Sequence, residues 1–384
     1  MPVKPHRRAA RPARRASLLS LLALATLVLA ALAAGHALLW RWTGDRIETS
    51  FEAWARTRRA TGWQVEHGPP QRGGWPFAAT LRLPGFRLAG GGATLPGGMD
   101  WQAEALVLRV ALPRLDRLVV EAHGRQRLRL AATEIPFAAD RLEAALPLAA
   151  EVLPREADLR AERLRLRAGA GAGALEVERA QAHLETSTTA IEGEPAVLLA
   201  FAAEGITLPP RAAGGNPLPR RAESLAGELV LSGPVPLGRR DPVTRAEAWR
   251  DAGGTLELRS IALRWGPVGA EAQATLTLDE ALQPMGAGTV RVSGVGPAIE
   301  ALAAEGALTP RGAATARTVL ALLARTPAEG GPSRVELPIT LEDRTLSLGG
   351  RLQLARLPPL AWPSRPQGPP GEASPAERSR SRPP

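Results

Sequence analysis

The stretch RGGWPFAATLRLPGFRL, from Arg72 to Leu88, decides how the chain is read. In its second half Leu81 and Leu83, and then Phe86 and Leu88, alternate with other side chains on either side of Pro84-Gly85. Such alternation marks a strand with one buried and one wet face. The change of parity at Pro84-Gly85 predicts a bulge, which bends a strand and increases its twist. The first half places Trp75, Pro76 and Phe77 behind Gly73 and Gly74. The glycines permit a tight or left-handed approach, and Pro76 disfavours helix at Trp75. Two readings follow, an aromatic corner that plugs one end of a β core and a pair that grips a ligand; the corner is the expectation.

The same period continues along the chain. Leu106, Leu108, Val110 and Leu112 alternate with Val107, Arg109 and Ala111, and Leu164 and Leu166 lie between Arg163, Arg165 and Arg167. Leu128 and Leu130, then Leu276 and Leu278, repeat it, and Leu256 and Leu258 give way to Ile261, Leu263 and Trp265 in a second parity switch. Val335 to Leu341 and Leu346 to Leu354 form a last pair, with Glu342 to Thr345 as its hairpin connection. Helical signals are few. Asp241-Pro242 with Thr244-Arg-Ala-Glu247 resembles a capped N-terminus that Gly253 would end. Pro297 begins a second helix and Thr309-Pro310 a third, together a helical insertion at about 297–325. The runs at 169–174 and 212–219 read as loops, and 363–384 has the composition of a disordered tail. The fold expected is mainly β, with curled, elongated antiparallel sheet and a small helical insertion, over a domain spanning 63–362.

Before that domain, Leu18 to Leu39 is an uncharged apolar run of 22 residues. At 1.5 Å per residue it reaches about 33 Å, enough for a hydrocarbon core of about 30 Å. Trp40 and Trp42 follow where an interfacial aromatic belt would lie. The expectation is one transmembrane helix over 18–39, in contact with a lipid bilayer through Leu18 to Leu39. A cleaved signal peptide is the rival, since Ala31-Leu32-Ala33 offers a small-x-small site. Ile47, Phe51 and Trp54 recur at helical spacing, so 40–62 reads as a juxtamembrane helical stalk that Thr61-Gly62 breaks. Residues 1–17 carry six basic residues and no acid, which predicts a cytoplasmic N-terminus and a domain on the far side.

The net charge of +10 invites a nucleic-acid reading. Its placement opposes one, because six of those charges lie in 1–17 and two more in the tail. A nucleic-acid binder concentrates positive charge on its folded domain. Cysteine is absent, which removes disulfides, thiolate nucleophiles and Cys-ligated metals. His6, His36, His67, His123 and His183 show no metal-ligand spacing, and no nucleophile elbow, HExxH or phosphate loop occurs. Val290 to Pro297 superficially resembles a dinucleotide loop, but Ile299 stands at the third glycine and a turn into a helix is the better reading. The Arg163, Arg165, Arg167 row could meet lipid phosphate, with a solvated strand face as the favoured alternative. No catalytic, cofactor-binding or metal-binding residue is assigned, and the protein is expected not to be an enzyme.

Taken in order, several motifs form a pattern: the basic N-terminus with its apolar helix, Trp54, Gly62-Trp63-Gln-Val65, Gly74-Trp75-Pro76-Phe77 and Trp101. Leu263-Arg-Trp265-Gly266-Pro267 and Pro338 to Leu341, running on to Leu357-Pro358-Pro359-Leu360, complete it. This layout resembles the bacterial family of domain of unknown function 2125 (DUF2125) over about 40–362. Two departures are Trp75, where another aromatic is expected, and Glu342-Asp343-Arg344, which lacks an expected glycine. The resemblance implies a membrane-anchored envelope protein and brings no catalytic residues. A looser likeness of strand pattern is to AsmA-like envelope proteins, which are associated with phospholipid transport. Together they imply a single-pass protein of the bacterial inner membrane with a periplasmic domain. That domain would handle lipid or another apolar ligand or support envelope integrity. A structural protein-interaction module is the alternative. The expected site is an elongated concave groove lined by Leu and Val, with Arg and Glu outside.

Overall fold

The computed structural model describes residues 13–91, 98–130, 133–148, 155–167, 173–209, 219–235, 241–304, 314, 317–318, 334–350, 352–360 and 362. The tail at 363–384, residues 1–12 of the basic segment, most of the two expected loops and most of the third helix lie outside the described residues.

A single helix, α1 (Ala13–Ala60), runs through the apolar segment and the stalk without a break. It ends where Thr61-Gly62 predicts. The Gly62 N–H donates to Arg59 O and the Trp63 N–H to Arg58 O, each at 3.1 Å, the paired bonds of a Schellman cap. From Leu21 onward the helix is long and apolar enough to cross a membrane. Leu22, Leu27, Leu29 and Leu32 are 63–67% exposed, so these side chains have no protein to pack against and suit lipid.

The strands follow in chain order as one antiparallel meander. The first two, β1 (Gln64–Glu66) and β2 (Gln71–Gly73), flank opposite ends of β3 (Ala78–Gly90), which pairs with β4 (Met99–Ala111). Beside β4 lies β5 (Arg117–Leu130), whose two halves pair with β6 (Thr133–Ala138) and β7 (Arg141–Pro147). Both lie against β8 (Glu156–Arg167), followed by β9 (Ala174–Thr186), β10 (Pro195–Thr207) and β11 (Arg221–Ser232). Helix α2 (Pro242–Asp251) precedes β12 (Thr255–Trp265), β13 (Val268–Leu278) and β14 (Pro284–Ser293). Helix α3 (Val295–Ala304) begins two residues before the expected Pro297 and precedes β15 (Arg334–Glu342), β16 (Thr345–Leu348) and β17 (Leu352–Arg356). Among the described residues no ladder joins β17 to the first strands, so the sheet is open.

The predicted caps and turns hold. Asp241 accepts the Thr244 N–H at 2.9 Å and the Thr244 hydroxyl at 2.6 Å, with Pro242 opening α2. Glu342 and Thr345 face each other across a two-residue turn in which Asp343 and Arg344 have φ 46° and 64°. Both are left-handed, as the favoured hairpin turn demands, and side chains with a β-carbon resist it. The glycine missing from this turn is missing where the backbone would use it.

The stalk is part of the core. Ile47, Phe51 and Ala55 of α1 are buried with Leu81, Leu83 and Phe86 of β3 and Leu106, Leu108 and Val110 of β4. A helix with one apolar stripe satisfies that stripe on the sheet's apolar face. Arg72 of β2 holds the outer side of α1 through Asp45 and Glu48, each at 2.5 Å, and Arg59 donates to Val65 O at 2.8 Å.

Trp75 and Phe77 do not plug the core. They are 52% and 81% exposed. The turn sits on α1, with Trp75 against the rings of His36 at 5.0 Å and Trp40 at 5.8 Å. Trp40 donates to Ala78 O at 3.0 Å. Gly74, at φ 89°, is needed here, because a β-carbon would lie 2.5 Å from Ala78 O. The corner is real, but it clamps the helix; Leu81 and Leu83, which are 0% exposed, close the core.

Two outcomes test this packing by chemical denaturation in detergent. Leu83→Ala should lower the unfolding free energy by about 2–5 kcal/mol, and Phe77→Ala should leave it within about 0.5 kcal/mol of the parent. Arg344→Gly, which relieves a left-handed residue, should raise stability by about 1 kcal/mol.

Candidate functional site

Residues directly opposite in an antiparallel ladder share a face, so the register maps both faces of the sheet. Starting from the core, Leu81 faces Leu108, which faces Val120. Val120 faces Ala144, which faces Leu159, then Ala182 and Phe201. Farther on, Leu199 faces Leu229, then Leu258 and Ala274. Leu276 faces Gly286 and then Leu341 and Leu346. One apolar face therefore runs across the meander from β3 to β16.

That face has two states of cover. Over β3 and β4, Leu81, Leu83, Leu106, Leu108 and Val110 lie beneath α1 and are buried. From β10 to β13 the equivalents, Leu199, Phe201, Leu229, Leu231, Leu256, Leu258 and Leu263, are half-buried, while Glu271, Gln273 and Thr275 on the other side of β13 are exposed. In β8, Leu159 is 39% exposed. Leu dominates this side, while the charged side also carries Leu198, Val230 and Val107.

Backbone irregularities keep the face apolar where the sequence changes parity. The Gly85–Glu104 pair drops out of the ladder between Pro84–Ala105 and Phe86–Ala103 without a shift of register, and on β12 the register shifts between Leu258 and Ile261. The two predicted switches are thus found. The line continues through residues that alternation alone did not single out. Arg163 has φ 47° opposite Glu178, and Gly205, at φ 63°, lies on the other side of the same glutamate. A β-carbon on Gly205 would meet the Glu178 carboxylate at 2.5 Å. These positions form a crease across the strands, of the kind that bends and twists a sheet.

The opposite face carries charges paired across strands, Arg109 with Glu121 at 2.6 Å, Arg179 with Glu204 at 2.6 Å, Arg259 with Glu228 at 3.3 Å, and Arg291 with Glu336 at 3.4 Å, and between them it buries Val230. In the arginine row, Arg163 and Arg165 both bind Asp140. Arg87 sits 2.9 Å from the buried Asp100 and holds its carboxyl below the usual range. Exposed pairs of this kind contribute about 0–1 kcal/mol each. They keep one face wet more than they hold the sheet together.

The ladders also gather a cluster invisible to local spacing. His183 on β9 lies opposite Asp158 on β8, with Glu156 and Glu185 alongside. Glu156, Asp158 and His183 place ligand atoms within 4.8 Å of one another, the minimum for a metal site. Both ring nitrogens are already engaged, Nδ1 with Asp158 at 2.9 Å and Nε2 with Glu185 at 3.0 Å, and Arg117 reaches Asp158 at 3.2 Å. This is the geometry of an imidazolium held between carboxylates, and a cation would have to displace it. Two clefts, of about 260 and 270 Å³, are lined largely by polar residues, Gln64, Arg87 and Arg129 in one and Glu271, Gln273 and Arg291 in the other. Both are smaller than an ordinary ligand pocket of about 300–1,000 Å³. The apolar face is the candidate site.

A family profile described as "Uncharacterized protein conserved in bacteria (DUF2125)" matches residues 40–358. Its start coincides with Trp40, where α1 meets the aromatic corner, and its span takes in β1 to β17. No curated protein and no solved structure matches the chain.

The His183 cluster yields a pH prediction with a definite sign. Hydrogen bonds to Asp158 and then Glu185 raise the His183 pKa, and the His183 bond lowers that of Asp158. The histidine contribution is complete below the ordinary histidine range and is lost as pH rises through the raised value; the Asp158 contribution is lost as pH falls below the carboxylate range. Thermal melting should therefore fall as pH rises from the ordinary histidine range through the raised His183 value, by no more than about 2 °C for so exposed a pair. His183→Gln should flatten that part of the profile.

Proposed function

This chain belongs to the DUF2125 family, and from that premise we propose that it is a membrane-anchored envelope protein that handles lipid or another apolar ligand on the half-covered face of its sheet. In this reading α1 crosses the bacterial inner membrane with the basic N-terminus in the cytoplasm, and the β domain stands in the periplasm. The six basic residues before the apolar run favour that orientation. The activity proposed is carriage or shielding of an acyl chain, without catalysis.

One observation carries the reading. The ladder keeps Leu199, Phe201, Leu229, Leu256 and Leu258 on one face, and the described residues leave all of them half-buried. Soluble proteins rarely expose contiguous apolar patches beyond a few hundred Å², and larger ones mark binding surfaces. A face several strands wide at about 4.8 Å per strand offers a track for a flexible hydrocarbon chain. The register shift around Ser260 supplies local bending. Cross-strand ion pairs occupy the opposite face, which leaves the apolar side for the ligand.

A second reading is a structural module whose partner protein covers the same face. The two separate in one experiment on the full-length chain reconstituted in vesicles with a photoreactive phospholipid. Lipid handling predicts crosslinks on β10 to β13, and Leu229→Asp with Phe201→Arg should reduce them several-fold while crosslinks to Leu22–Leu32 persist. Crosslinks confined to α1 would reject lipid handling and favour the protein module.

A further inference from the structure

The aromatic corner at Gly74–Phe77 is exposed at a place where exposure to water is costly. His36 and Trp40, its contacts on α1, flank the end of the apolar run at Leu39. At 1.5 Å per residue, His36 lies about 4–5 Å inside that end. A His36 ring nitrogen is nevertheless satisfied, 2.7 Å from Pro76 O. The corner therefore sits beside the last turn of the apolar segment. Four large side chains project at this level: Leu38 and Trp42 from the helix, 68% and 57% exposed, and Trp75 and Phe77 from the corner, 52% and 81% exposed.

Between Arg72 and Arg82 the chain carries no charge, so the turn presents backbone, glycine and apolar rings. Several of its polar groups are already paired: the Ala78 N–H donates to Gly74 O at 2.9 Å, the Leu112 N–H to Phe77 O at 2.9 Å, and Trp40 Nε1 to Ala78 O. A segment entering the edge of a bilayer needs such satisfaction, because lipid offers no replacement bonds. The polar boundaries lie close by. Arg72, with Asp45 and Glu48, marks the water side on the helix, and Arg114 and Asp116 stand in the adjoining turn between β4 and β5. These charges restrict the depth to the headgroup layer, where tryptophan rings are favoured.

We propose that the Gly74–Phe77 corner is a second membrane contact, with Trp75 and Phe77 inserted in the headgroup layer of the bilayer that α1 crosses. The occupant is lipid, because the exposed rings are continuous with the apolar surface of the helix through the His36–Trp75–Trp40 contacts. The β domain is then held to the membrane at two points, and the start of β3 rests on the surface. The inference depends on the transmembrane reading of α1 and extends it, since a helix alone leaves its tilt in the bilayer, and with it the domain's, unfixed.

The absence of cysteine makes the test direct, because any introduced thiol is unique. Full-length Phe77→Cys, Leu32→Cys and Arg125→Cys chains are labelled with an environment-sensitive fluorophore. They are then reconstituted in phosphatidylethanolamine–phosphatidylglycerol vesicles containing lipids with shallow or deep nitroxides. Phe77 and Arg125 are both exposed, 81% for the residue and 91% for the side chain, so neither change disturbs packing. The proposal expects the Phe77 probe to be quenched by the shallow nitroxide more than by the deep one. The Leu32 probe should prefer the deep nitroxide, and Arg125 should respond to neither. Quenching at Leu32 with a Phe77 probe that behaves like Arg125 would overturn the proposal while leaving the anchor intact. A Phe77 probe shielded from aqueous iodide but unaffected by either nitroxide would overturn it in favour of a protein contact. No quenching at Leu32 would remove the anchor reading and this inference with it.

Discussion

Packing of the α1 stripe Ile47, Phe51 and Ala55 on Leu81, Leu83 and Leu108 ties the apolar helix to the sheet. Because α1 runs unbroken from Ala13 to Ala60, whatever direction the apolar segment takes is passed rigidly to β3. Each later strand is placed by hydrogen bonding to its predecessor, so an antiparallel ladder transmits both position and face from that starting pair. Fixing Leu81 inward fixes Leu108 and, through the successive registers, the apolar side of the strands that follow. A one-residue slip at any step would send the apolar side chains of later strands to the wrong face.

This arrangement gives one sheet two environments. Near α1 the apolar face is an ordinary core, in which burial is complete. Farther along, the side chains retain the pattern but lose the cover, and the ion pairs on the reverse side oppose inversion of the sheet. A large sheet with a hydrophobic face has few ways to satisfy it: closure on itself, a second layer, or an apolar partner. The described ladders show no closure. The proposed function follows from that remaining requirement, and the irregular backbone at Gly85, at Arg163 and Gly205, and around Ser260 supplies the bending that would let the face cradle a chain.

The aromatic corner joins the apolar segment to the sheet. Sequence patterning identified a turn beside a strand but assigned its rings to the core. Rings of that size can satisfy themselves in a core, on a helix or in lipid, and local sequence does not distinguish the three. The structure places Trp75 on His36 and Trp40, across about 35–40 positions of chain. Hence the hydrophobic content was legible and its destination was not. The His183 cluster shows the same limit, since Asp158 and His183 meet only because β8 and β9 are paired in one register.

Alternation by itself marked several strands, because the period of two is a property of neighbouring residues in extended backbone, but it did not single out β9, β10, β11 or β14. Length and lack of charge determined that Leu21 onward could span a bilayer, and Asp241-Pro242 and Thr61-Gly62 determined helix ends, since caps are made by residues close in sequence. The parity switches at Gly85 and Ser260 were likewise local signals. Tertiary structure alone decided that the stalk would be core, that the corner would clamp a helix and remain exposed, and which stretch of apolar face would lack cover. Each of those outcomes depends on contacts between residues far apart in the chain. Leu83, buried under α1, and Leu229, half-buried beyond it, both sit on the apolar face and differ in what the fold brings over them.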